Sequence, residues 1–202
     1  DVAISSTSFT VVPRTFAIRA GSTAFQFRHT NSCTRSGKCR LTIAAGAEPC
    51  GRAAKCCRLA EENLIAPARI PPSQVHRIFG ELKPEIAAAN YMRDIRNFFG
   101  LEEGEQPHFD VVQCGIGADA HTASLFPGES LIEDREHIAG AGYVQKLGKW
   151  RVTLLPGALL AARNIAFLVA GADKAPAVGS VFHKEFDPKH YPAQLISRQG
   201  HR

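Results

Sequence analysis

No stretch of this 202-residue chain approaches the roughly 18 consecutive apolar residues of a membrane-spanning helix. The N-terminus also lacks a charged region followed by an apolar run and a small-residue cleavage site. These absences lead us to expect a soluble, unexported, cytoplasmic protein with no membrane partner, whose true beginning is left open by a first residue, Asp1, that is not Met. Cysteine is scarce outside one segment: Cys33, Cys39, Cys50, Cys56 and Cys57 crowd the first 57 residues, and only Cys114 lies beyond them. Their spacings lack the short C-x2-4-C pairs of structural zinc sites. A disulfide framework would need an oxidising compartment that nothing else in the chain supports. Residues 28–57 lack interleaved aromatics and any recognised module, which argues against a nucleic-acid partner. Internal repeats are absent as well.

What is present divides unevenly. The formal charge of +5 is concentrated in residues 1–57, where Arg14, Arg19, Arg28, Arg35, Lys38, Arg40, Arg52 and Lys55 face only Asp1 and Glu48. The remainder is close to neutral, so the basic balance describes a segment rather than the body. Between Phe25 and Cys57 no period of 2 or 3.6 is sustained. We therefore divide the chain into an irregular, basic, Cys-rich segment, 1–57, and an α/β domain, 58–202.

From Arg58 onward strand-like and helix-like segments alternate at short spacing, the pattern of an α/β fold. RLAEENLI reads as the end of a helix closed by Pro67, and IPPSQVHRI as a turn into a short extended piece. Pro84 suits a first helical position, with Ile86, Tyr91, Ile95 and Phe98 recurring at about helical spacing up to a stop at Gly100. FDVVQC, WRVTLL and NIAFLVAG read as strands, the first and last of them buried. GALLAAR reads as a short helix, ADKAPAVGSVFH as a helix with Pro176 in its first turn, and YPAQLI as a final extended piece.

The loop GIGADAH follows FDVVQC, where an open parallel sheet binds ligands at the carboxyl end of a strand. Gly115 and Gly117 permit close backbone approach. Asp119 stands two residues from His121, an arrangement that can fix an imidazole tautomer and prepare a general base. A plainer reading is equally open on spacing alone: Asp119 caps the next helix and His121 is a surface residue.

The longer string GIGADAHTASLFPG closely resembles the signature of the 6-phosphogluconolactonases, approximately G-x-G-x-D-G-H-T-A-S-L-F-P. RVTLLPGALLAARNIAFLVAGADKA and PAQLI follow in that family's order, and the resemblance runs from Arg58 to about Ile196. It implies a Rossmann-like α/β fold, a parallel sheet flanked by helices, with its N-terminal part incomplete or disordered here. It implies hydrolysis of 6-phospho-D-glucono-1,5-lactone in the oxidative pentose phosphate pathway by a monomer without metal or cofactor. His121 falls on the general base and Asp119 on its acidic neighbour. Gly115 and Gly117 form the substrate loop, whose backbone N–H groups are candidates for an oxyanion site. Arg151 and Lys174 fall on positions associated with the sugar phosphate, as do Ser22 and Thr23 of FAIRAGSTAF. Two other readings stand beside it: a glucosamine-6-phosphate deaminase-like enzyme, disfavoured because no carboxylate follows His121 before Glu129, and a catalytically impaired sugar-phosphate binder.

The chain departs from the family pattern in three ways. Ala120 replaces the Gly between Asp and His, which costs about 1 kcal/mol or more if the position needs positive φ. Leu160 stands where an Asn is usual. Ala24 replaces a Pro, and no Asp-Glu-Arg follows. Frame-shifted translation of residues 24–57 accounts for that segment's composition; a basic Cys-rich extension is the competing account. Reading the coding DNA upstream of Arg58 in all three frames should reveal a helix-forming stretch and Asp-Glu-Arg in another frame. Equal disorder in every frame would refute the frame shift.

Overall fold

The computed structural model describes residues 8–12, 40–44 and 60–197, the first two stretches as strands. Ser22, Thr23 and the five N-terminal cysteines lie outside the described residues. A five-stranded sheet has the order β3-β2-β1-β4-β7, with β1 at Ser8–Val12, β2 at Arg40–Ala44, β3 at Val75–His76, β4 at Val112–Cys114 and β7 at Ile165–Phe167. β2 runs parallel to β3, and β4 parallel to β7. The expected α/β fold with parallel strand pairs is present, and β1 adds antiparallel pairings to both β2 and β4. β2 also falls inside the stretch read as aperiodic, because a five-residue strand is too short to establish a period.

A separate hairpin joins β5 (Ala139–Val144) to β6 (Lys149–Leu154). Its tip is the short 3₁₀ turn Gln145–Leu147 followed by Gly148, whose φ of 60° is cheap only for glycine. Helix α1, Pro84–Phe99, packs across this hairpin. Pro84 supplies a preset φ at its start, and Gly100 ends it in the left-handed region at φ 66°. Its buried face is Ala87, Ala88, Tyr91 and Ile95. Ile86, expected on that stripe, is exposed, because two alanines let the helix approach one residue further round.

Tyr91 and Ile95 meet Phe109, Val112, Leu125, Ile138, Leu154, Leu155, Leu159 and Leu195 in one core. Each fully buried large side chain contributes about 1.5 to 3 kcal/mol of transfer free energy. Helix α2, Pro156–Leu160, begins with proline. A Cβ on its Gly157 would run into the Arg135 carbonyl. Leu160, at the position where the family's Asn was expected, packs against the core. A second, smaller cluster joins Ile116 and Ala120 to Ala177 and Val181 of α3 (Ala175–His183) and to Ala193. Among the described residues, no helix is long and apolar enough to cross a membrane.

Three local expectations are corrected. The helix end at RLAEENLI is a single π-helical turn, Glu61–Ile65. The buried strand expected from NIAFLVAG is three residues long, and Leu168 and Val169 are exposed beyond it. YPAQLI ends not as a strand but in helix α4, Ala193–Ser197. Its fully buried Gln194 explains the difference by satisfying backbone groups of the preceding segment. The Gln194 amide donates to the carbonyls of Ser180 (2.9 Å) and Glu185 (3.0 Å), and its oxygen accepts the Asp187 N–H at 2.6 Å. Gln194→Ala should therefore cost about 1.5 to 4.5 kcal/mol in urea unfolding, since three hydrogen bonds of about 0.5 to 1.5 kcal/mol each are lost. Ile86→Ala should change stability by about 0.5 kcal/mol or less.

Candidate active site

Strand β4 delivers the chain into the loop of residues 115–121. The Gly117 N–H donates to the His121 carbonyl and the Ala120 N–H to the Gly117 carbonyl, both at 2.9 Å. The loop is fastened outward as well. Thr122 Oγ1 donates to the Gly115 carbonyl (2.9 Å), and the Ala193 N–H donates to the Ala120 carbonyl (3.0 Å). Just beyond, the Ser124 N–H donates to Thr153 Oγ1 on β6 at 3.1 Å. Because its N–H is engaged inside the loop, Gly117 is removed from the oxyanion-donor role suggested by sequence.

Gly117 serves the site by what it lacks. A Cβ there would overlap the His121 ring at Nδ1 and Cε1 and come within 2.8 Å of Asp119 Oδ1. The imidazole occupies the space that any other residue would fill. On its other side the ring stacks on Phe126, with centroids 4.2 Å apart and an interplanar angle of 27°. His121 is thus held by packing on two sides.

Its polar tether is Asp119. Oδ1 lies 2.5 Å from His121 Nδ1 and also accepts the His121 backbone N–H at 3.3 Å. Oδ2 accepts Lys146 Nζ at 2.7 Å, from the tip of the β5–β6 hairpin. Burial works against the charged form of Asp119. Hydrogen bonds from His121 and Lys146 outweigh it and hold the carboxyl well below the usual carboxylate range. An ionised carboxylate only accepts hydrogen bonds, so Nδ1 carries the imidazole proton and Nε2 is the basic nitrogen. Such an arrangement can remove a proton from water or return one to a leaving group.

Of the residues singled out in the sequence, Gly115, Gly117, Asp119 and His121 come together in this loop. Arg151 lies half-buried on β6, with Nη1 donating to the Trp150 carbonyl at 3.3 Å. Lys174 ends a 3₁₀ turn before α3 and pairs with Asp173 at 3.1 Å. Lys146 was missed, because a lysine in QKLGK has no mark distinguishing it from any solvated turn residue. Only the hairpin register brings it to Asp119. Among the described residues, no cluster of three or more His, Cys, Asp or Glu side chains could hold a metal ion.

The chain belongs to the family described as glucosamine-6-phosphate isomerases/6-phosphogluconolactonase, whose model matches residues 45–202. It is 36% identical over 144 residues to a 6-phosphogluconolactonase of Synechocystis sp., covering 71% of this chain and 59% of that protein. With the Homo sapiens 6-phosphogluconolactonase it shares 36% over 136 residues, covering 66% and 51%. The chain thus spans little more than half the length of these relatives. Among solved structures, the devB protein superposes with a TM-score of 0.65 at 30% identity, covering 74% of this chain and 63% of the other. A 6-phosphogluconolactonase from Trypanosoma brucei gives 0.65 at 24% identity, covering 77% and 66%, a likeness of fold.

Ala120 has φ 62° and is buried, so the condition attached to the Gly replacement is met. The left-handed conformation costs a residue with a Cβ roughly 1 to 2 kcal/mol. Burial of one methyl in the cluster with Ile116, Ala177, Val181 and Ala193 returns about 0.8 kcal/mol of that. Ala120→Gly should therefore stabilise the fold by about 0.2 to 1.2 kcal/mol, read as a higher urea midpoint at unchanged slope. A lower midpoint would show that the methyl's packing dominates.

Proposed function

We propose that this chain hydrolyses 6-phospho-D-glucono-1,5-lactone to 6-phosphogluconate, the step that 6-phosphogluconolactonases supply to the oxidative pentose phosphate pathway. The observation that carries the reading is the Asp119–His121 contact, 2.5 Å from Oδ1 to Nδ1. With Nδ1–H held by Asp119, His121 Nε2 takes a proton from water as that water attacks the lactone carbonyl. The tetrahedral intermediate expels the ring oxygen, which receives the proton from His121, and the ester opens to the acid. Arg151 and Lys174 hold the phosphate, so binding energy remote from the carbonyl aligns it for attack. Gly115 borders the substrate, and Ser22 and Thr23 join the phosphate contacts. The protein acts as a cytoplasmic monomer, without a nucleic-acid partner.

A deaminase-like reaction is disfavoured because Glu129, the first carboxylate after His121, accepts the Gln145 N–H at 3.3 Å and is thereby drawn toward the hairpin tip.

The test is lactone opening measured against spontaneous hydrolysis, with binding of 6-phosphogluconate followed separately. His121→Ala should lower the enzymatic rate by about 10² to 10⁴ while leaving binding nearly intact. An unchanged rate would remove the general-base assignment. Binding without hydrolysis above background in the unmutated chain would replace the enzyme with the binder.

A further inference from the structure

Asp119 is held on both carboxylate oxygens, Oδ1 by His121 and Oδ2 by Lys146. We infer that Lys146 is a positioning residue: by occupying Oδ2 of Asp119 it fixes the carboxylate that holds His121 in its Nδ1–H tautomer. The inference rests on the reading of His121 as a general base. It adds a residue from a different part of the fold.

The geometry separates this role from a stabilising one. The Lys146 side chain is 65% exposed, whereas Asp119 is 21% and His121 15% exposed. A pair with one partner so exposed contributes only about 0 to 1 kcal/mol to folding, so stability gives little account of the contact. Orientation gives a better one. Asp119 has a single rotatable bond between Cβ and its carboxylate, and the carboxylate plane must present Oδ1 to Nδ1. With Oδ2 anchored at 2.7 Å by an ammonium on the opposite hairpin, rotation toward solvent would break both contacts together. Without Lys146, Oδ2 would face water, and the carboxylate could turn while staying hydrated.

The experiment uses the full chain with ¹⁵N-labelled histidine and the variants Lys146→Met, Lys146→Arg and Asp119→Asn. Ring ¹⁵N shifts at pH 8 report the tautomer of His121 without any substrate. Lys146→Met should move His121 from predominantly Nδ1–H toward a mixture, as Asp119→Asn does more fully. Lys146→Arg should keep the original tautomer, since it retains charge and donors. In lactone hydrolysis Lys146→Met should lower kcat by roughly tenfold with KM unchanged, within the range expected of a misplaced catalytic group. An unaltered tautomer in Lys146→Met would overturn the inference, as would equal changes in Met and Arg, which would indicate a disturbed hairpin. Absence of hydrolysis in every protein, with the tautomer still responding to Lys146, would defeat the reading of function and leave the positioning role standing.

Discussion

A single carboxylate ties together two parts of this molecule that belong to different sheets. The loop of His121 grows from β4 in the five-stranded sheet, and Lys146 stands on the hairpin of the two-stranded one. Removing a carboxylate even partly from water costs several kcal/mol unless donors replace the lost hydration. Asp119 is tolerated at its depth because both of its oxygens meet donors, and those donors come from both sheets. The site therefore exists only when the sheets are correctly docked. The Ser124–Thr153 hydrogen bond fastens the same two layers a few residues away.

Backbone and side-chain requirements inside the loop are distributed unequally. At position 117 the constraint is space, since the imidazole lies where a Cβ would be. At position 120 it is conformation, with φ at 62° and the residue's carbonyl anchored by the Ala193 amide. The first constraint is absolute on the scale of van der Waals contacts. The second is an energy of a size that other interactions can outweigh. This difference explains why alanine can stand at 120 beside an intact His–Asp contact.

Much of this was legible in the sequence because it is local. The strand–loop unit FDVVQC-GIGADAH, the helix stopped by Gly100 and the proline-started helices all carry their signals within a few residues. What was not legible depends on partners distant in the chain. YPAQLI has the composition of a strand, and it is a helix because Gln194 satisfies groups at Ser180, Glu185 and Asp187. Ile86 fits the helical stripe, yet the stripe is set by what α1 packs against. Lys146 is invisible until the register pairing Val144 with Lys149 folds the hairpin tip toward the loop. The antiparallel direction of β1 within the expected α/β fold carries no local mark, because strand direction is a property of topology.

The left-handed Ala120 also bears on how long the protein persists in a cell. Folded domains are separated from their unfolded ensembles by only about 5 to 15 kcal/mol, and a strain near 1 kcal/mol multiplies the unfolded population roughly fivefold. That population is what proteases and chaperones act on. A residue whose side chain is a single buried methyl can thus influence the amount of protein without touching the rate of any one molecule. Selection at this position would be felt through abundance, and a chain carrying alanine here can retain its chemistry while its steady-state level falls.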